Sequence, residues 1–255
     1  MTHPTFAAFG YFLVNYKRTW RGSVLSAFLL PAMFLVAMGL TVGHYIDARG
    51  SGLGVSYLDY IAPGVLASTA LQVAVGEATW PAYSAFHWTR TYHAQQATPL
   101  AIADLLRGHL AYVLLRVAVA ASGFLIILSL FGAARSWWAF AALPAALLIG
   151  LACAAPVFGI AATATNDGTF AVVFRFAVIP MTLFAGVFFP VPAMPPAARA
   201  LAYVSPLWHG VELCRAATLG RPTAWGVPVH MGVLVAWAAA GYLYALWRYR
   251  RKLAG

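Results

Sequence analysis

Charged side chains are scarce in this sequence. They make up 9% of its 255 residues, against about a quarter in a water-soluble domain. With 62% hydrophobic residues, too little polar surface remains to cover a globule in water. Lipid must therefore solvate most of the chain, and a soluble enzyme or binding module is excluded. Carboxylates are rarer still. The six acidic residues are scattered, so no pair of them nominates a general acid and base. Lysine occurs only as Lys17 and Lys252, neither behind a glycine-rich loop, so a phosphate-cradling GxxxxGK[ST] segment is missing. Any ATP-driven work must then rely on another subunit.

Site chemistry is equally sparse. None of the seven histidines forms an HExxH or HxxxH pair, and no Ser/His/Asp spacing nominates a triad. No catalytic residue and no metal site is assigned. Cys153 and Cys214 form no CxxC pair, and Cys153 reads as a small packing residue in mid-helix. No cleavable leader is expected, because positive charge follows the first apolar stretch instead of preceding it.

What the sequence has is apolar length. At roughly 20 apolar residues per span, it accommodates about six membrane helices and short connections. The expected spans are 23–44 (kinked at Pro31), 57–80, 110–131, 137–164 (bent near Pro144 and Pro156), 168–189 and 224–247. The fold class is an all-α membrane protein, one membrane domain over 1–255. Residues 4–20 differ from the rest. Phe6, Phe9, Leu13, Tyr16 and Trp20 recur at steps of three and four, the pattern of an amphipathic helix lying in the membrane interface.

The net charge of +10 does not point to nucleic acid, because the basic residues sit at the ends of apolar runs and form no patch. With the N-terminus inside, Lys17, Arg18, Arg21, Arg90, Arg107, Arg248, Arg250, Arg251 and Lys252 flank the inner face. Arg49, Arg135, Arg199, Arg215 and Arg221 flank the outer one. Nine against five predicts both termini in the cytoplasm. Trp20, Trp80, Trp88, Trp137, Trp138, Trp225 and Trp247 fall near span ends, as interfacial belts require.

Charges inside spans are costly and mark function or structure. Glu77, Arg116 and Arg175 are the candidates. They read as a polar network toward the inner mouth of a pathway or, preferentially, as structural pairing of Glu77 with Arg116 or Arg175, the arginine stems snorkelling. Two further stretches break the apolar pattern. Residues 81–107 are polar, with Thr98-Pro99 as helix cap and first-turn proline. Residues 190–222 carry Pro190, Pro192, Pro195, Pro196, Pro206 and Pro222 around short helices near 197–204 and 207–219, the second closed by Gly220.

Those two stretches carry a resemblance. HAQQATPLAIADLLRG resembles the loop between the second and third helices of type-2 ABC exporter permeases. VFFPVPAMPPAARALAYVSPLWHGVELCRAATLGRP is similar to that family's signature before its last helix, and GVSYLDYIAPGV at the second span also fits. The similarity covers nearly the whole chain and is strongest to the NodJ and DrrB-like branch, which exports lipo-oligosaccharides and hydrophobic drugs. It implies a bacterial plasma-membrane permease subunit without its own nucleotide site. A cytoplasmic ABC ATPase, in two copies, would hold ATP and magnesium, and a second permease copy or related chain would complete the route through membrane lipid. Residues 86–98 would be the coupling helix, presenting His87, Trp88, Arg90, Thr91, His93, Gln96, Thr98 and Pro99 to the ATPase. Here His87, Trp88 and His93 are bulkier and less acidic than the family pattern. Residues 191–219 would be paired re-entrant helices on the outer side, marked by Pro190, Pro192, Pro195, Pro206, Arg215 and Gly220. Two rival classes are set against this. An ion-driven secondary transporter requires midplane carboxylates and inverted repeats, which the sequence lacks. A lipid-modifying membrane enzyme requires the catalytic constellation that is missing.

Overall fold

The computed structural model describes residues 4–50 and 53–254. Among them every regular element is helical, as an apolar chain must be when lipid offers its backbone no hydrogen bonds. In chain order the helices are α1 (Pro4–Ala37), α2 (His44–Ala48), α3 (Tyr57–Ala78), α4 (Trp80–His87), α5 (Thr91–Gln96) and α6 (Ile102–Leu130). Then come α7 (Ala142–Thr163), α8 (Gly168–Val173), α9 (Ile179–Phe184), α10 (Pro196–Val204), α11 (Pro206–Leu219) and α12 (Val227–Ala254).

Four helical stretches are long and apolar enough to cross a membrane: Tyr57–His87, Ile102–Leu130, Trp137–Thr163 and Val227–Ala254. The other two expected spans fall on less regular chain. The first belongs to α1, which runs without a break from Pro4 to Ala37, so residues 4–20 form no separate interfacial helix. Their start packs along α6 instead. Thr5 Oγ1 donates to Asp104 Oδ1 at 2.7 Å, and Ala8 and Tyr16 are buried. The irregularity lies at Met38–Gly43, a π-helical turn. The expected kink site, Pro31, has its side chain outside the described residues. The fifth expected span is divided by a π-helical turn, Phe174–Val178, between α8 and α9.

Boundaries shift for local reasons. The helix expected from Leu110 already starts at Ile102, with Ala101 as its N-cap. Thr98 therefore does not cap it, and its hydroxyl turns back to the carbonyl of Gln95 at 2.6 Å. The chain breaks at Thr79 (φ −92°, ψ −99°), so that α3 and α4 meet at an angle, and Pro81 sits in the first turn of α4.

The core lies where α3, α6, α7 and α11 meet. Leu66, Leu71, Leu105, Leu106, Phe124 and Phe158 are fully buried there. Small residues set the close approaches, as in helix packing without a hydrophobic drive. A Cβ on Gly210 of α11 would lie 2.2 Å from Ile149 of α7, and one on Gly241 of α12 would lie 2.7 Å from the backbone nitrogen of Pro156. Cys153 and Cys214 are free and buried.

Candidate functional site

At one end of the bundle, α4 and α5 form an elbow. The three residues between them are Trp88, Thr89 and Arg90, and Arg90 takes the left-handed conformation (φ +50°). The segment expected as one helix over 86–98 is therefore two pieces hinged at Arg90. The hinge faces some residues outward and others inward. Trp88, Arg90, His93, Thr98 and Pro99 are exposed. Thr91 and Tyr92 are buried, and His87 stacks on Tyr83 with ring centroids 4.2 Å apart. The inward side is bolted to two long helices. Gln96 Nε2 donates to the carbonyl of Leu253 at 2.8 Å, and Tyr249 donates its hydroxyl proton to Tyr92 at 3.0 Å. The Tyr92 hydroxyl in turn meets Nδ1 of His109 on α6. Burial pushes the Tyr92 phenol well above its ordinary pKa, so this relay is neutral. Short polar links thus join α5 to α6 and α12 inside an aromatic cluster that includes Phe86 and Phe158.

Toward the same end, Glu77 and Arg116 form an ion pair at 3.0 Å. Arg116 also donates to Tyr112 Oη at 3.3 Å and lies 5.1 Å from the ring centroid of Tyr16. The pair therefore ties α1, α3 and α6 together. Arg175 is not brought into it. It sits exposed on the π-helical turn and makes no ion pair among the described residues.

At the opposite end, α10 and α11 form a proline-started hairpin. Pro195 and Pro196 open α10. Pro206 opens α11 behind an N-cap, Ser205, whose Oγ accepts from Leu207 N at 3.2 Å. Pro190 precedes the 3₁₀ turn Val191–Ala193, with Pro192 exposed within it. Gly220 closes α11 in the left-handed region (φ +67°). Arg215 is the hub. It pairs with Glu212 at 3.0 Å, donates to the carbonyl of Gly186 at 2.8 Å, and lies 4.1 Å from the ring centroid of Tyr60. Arg135 pairs with buried Asp59 at 2.7 Å, and its backbone N–H and that of Ser136 both donate to Thr218 O.

One pair at this end was not visible as a motif. His209 of α11 and His230 of α12 are fully buried, with their Nδ1 atoms 2.9 Å apart. Nε2 of His209 faces the carbonyl of Tyr203 at 3.0 Å, so it carries the proton. Nε2 of His230 accepts from Trp225 N at 3.4 Å, so its proton is on Nδ1 and points at His209. The donors and acceptors that link Tyr203, His209, His230 and Trp225 are matched only while both rings are neutral. Burial lowers the His209 pKa, with Tyr203 O and Glu212 opposing it. A lowered folded pKa means that the unfolded chain binds the proton first, so stability is full above about 6.5 and declines as pH falls through the folded value. We expect the thermal midpoint to drop between pH 7.5 and 5, and the drop to shrink in His209→Gln. An identical acid response in that variant would remove His209 as its source.

Sequence reasoning missed Tyr92, His109, Tyr249, His209 and His230. Each is one aromatic among many (15% Phe, Trp and Tyr), and its partner lies on another helix.

The geometry defines a class first: a multi-pass helical membrane protein with an elbow at one end and a proline-broken hairpin at the other. Comparison with known proteins then fixes the family. The ABC-2 type transporter model matches residues 5–219. Nodulation protein J of Rhizobium leguminosarum bv. viciae is 29% identical, covering 93% of this chain and 90% of that protein. The Rhizobium leguminosarum bv. trifolii and Rhizobium meliloti (strain 1021) proteins of the same name are 27% and 26% identical, over 94% and 93% of this chain. The chain belongs to the ABC-2 type transporter family, as a membrane subunit without a nucleotide-binding site of its own.

Proposed function

We propose that the chain is the permease subunit of an ATP-driven exporter. It would move an amphipathic or lipid-linked substrate (a drug, lipid or lipo-oligosaccharide) out of the cytoplasm by alternating access. The observation that carries this reading is the two-sided α4–α5 elbow, exposed at Trp88, Arg90 and His93 and bonded inward to α6 and α12. A separate cytoplasmic ABC ATPase, in two copies, binds ATP and magnesium and docks on that outward face. Its closure pushes α5 and tilts α6 and α12. In this reading the residues 23–44 and 168–189 complete six spans, both termini are cytoplasmic, and the α10–α11 hairpin re-enters from the outer face of a bacterial plasma membrane. A six-span chain encloses little interior, so a second copy or related permease completes the route.

The test is at Arg90. Its left-handed backbone suits glycine, so Arg90→Gly keeps the elbow and removes the charge, whereas Arg90→Glu reverses the charge as well. Like charges set against each other across an interface cost several kcal/mol, enough to weaken coupling about tenfold or more. We expect Arg90→Glu to insert normally and leave ATP hydrolysis by the complex running while export collapses, with Arg90→Gly intermediate. Unchanged export in both variants would refute docking at this face. Co-purification of a soluble ATPase whose loss abolishes transport separates this reading from an ion-driven transporter.

A further inference from the structure

Two apolar hollows lie on the flank of the bundle where α12 meets its neighbours. One, of about 640 Å³, opens between the start of α7, α11 and α12, with Trp138 and Arg221 at its edge. The other, of about 480 Å³, opens between α6, α7 and α12, with Arg107 and Tyr242 at its edge. They share Leu148 of α7, so they are two halves of one furrow. On α12 its lining runs from Val227 to Tyr242, about 22 Å at ~1.5 Å per residue. That is most of a hydrocarbon core about 30 Å thick. An aromatic and an arginine thus mark each end of an apolar furrow that spans most of the bilayer core.

The two arginines share a second property. Arg116, Arg135 and Arg215 each have a carboxylate partner. Arg107 and Arg221 have none among the described residues. Arg107 Nε donates to the neutral hydroxyl of Tyr242 at 3.0 Å, and the nearby Asp104 accepts from Thr5. Arg221 donates to the carbonyls of Leu53 and Gly54 at 3.1 and 2.7 Å. Both keep a full positive charge and unused N–H donors. A guanidinium in that state binds phosphate oxygens in forked geometry.

We propose that this furrow holds two phospholipids, one from each leaflet, as bound structural lipid. Their tails lie along α7 and α12 and meet near Leu148, and their phosphates rest on Arg107 and Arg221. The inference requires only that α6, α7 and α12 cross the bilayer, and it is independent of cargo and ATP coupling. Bound lipid would supply the cover that α12 lacks, since only 28% of its apolar stretch is buried within the chain.

The experiment uses the full-length chain purified in mild detergent with any accompanying subunit. Phosphatidylglycerol is added back, and native mass spectrometry counts the molecules retained. About two should survive per chain, and diacylglycerol, which lacks phosphate, should not. Arg107→Gln and Arg221→Gln should each lose one, Leu148→Trp should weaken both, and Arg107→Lys and Arg221→Lys, which keep the charge but not the fork, should retain more lipid than the glutamine variants. Equal retention of diacylglycerol, or full retention by both glutamine variants, would overturn the proposal. So would equal lipid loss in Arg221→Lys and Arg221→Gln, because Arg221 would then serve to pin the 53–54 carbonyls and not to hold phosphate. Displacement of the lipid by millimolar inorganic phosphate would also overturn it, since the tails would then contribute nothing.

Discussion

Substitution of Gly241 by valine is expected to cut the yield of folded protein several-fold and to lower its thermal midpoint more than any single surface change. The pairing of α7 with α12 is the most extensive in the bundle, and within it Gly241 sits directly against the α7 backbone. A Cβ there would lie 2.5 Å from Cδ and 2.7 Å from the nitrogen of Pro156, with Ala155 Cβ at 3.2 Å. Those first two atoms belong to a fixed ring and to backbone, so no side-chain rotation relieves the clash. The helices must separate instead. About two turns of α7 contacts then loosen with them, including Gly159 against Tyr244 and Ala245. Overpacking of this kind costs about 1–3 kcal/mol and sometimes more, a large part of the 5–15 kcal/mol of a typical domain. Gly232→Val is the control: it lies on the same helix, with nothing within 4 Å of its Cβ. Fluorescence-detected size exclusion after graded heating separates the two. Equal behaviour would mean that the seam is not close-packed at Pro156.

The sequence shows some of this and hides the rest, for identifiable reasons. Apolar length and the scarcity of charge reveal a helical membrane protein, because no other arrangement satisfies such a backbone in lipid. The Glu77–Arg116 pair was readable because so few acids exist to choose from. The hairpin helices were readable because Ser205-Pro206 and Gly220 are local start and stop signals. The unbroken α1 was not, since residues 17–22 change polarity without offering a breaker that must end a helix. Nor was the elbow at Arg90, because arginine rarely adopts positive φ and nothing beside it demands a turn. The Tyr92–His109–Tyr249 relay and the His209–His230 pair depend on contacts between helices far apart in sequence. An aromatic-rich composition cannot single such contacts out.

Arg215→Gln should be the most damaging change at the α10–α11 hairpin, and the manner of its failure is specific. Arg215 and Glu212 are mostly buried, with side chains 13% and 16% exposed. Removing the cation leaves Glu212 with the backbone N–H of Ala224, at 3.1 Å, as its remaining hydrogen-bond donor. Breaking a buried pair from one side costs about 3–5 kcal/mol, and the residual exposure here places the expectation at the lower end. Glutamine also cannot both reach the Gly186 carbonyl and lie on the Tyr60 ring, so the corner at Gly186 (φ +75°) loses its tie to α11. Arg215→Lys keeps the charge but not the fork and should fall between wild type and glutamine. Glu212→Gln should be milder, since Arg215 retains its carbonyl and ring contacts. The decisive measurement is the double variant Arg215→Gln/Glu212→Gln, which removes the stranded carboxylate. It should regain part of the thermal midpoint lost in Arg215→Gln alone. If the double variant is no more stable than that single one, the hub holds the hairpin through its carbonyl contacts, and the ion pair contributes nothing that neutral groups would not.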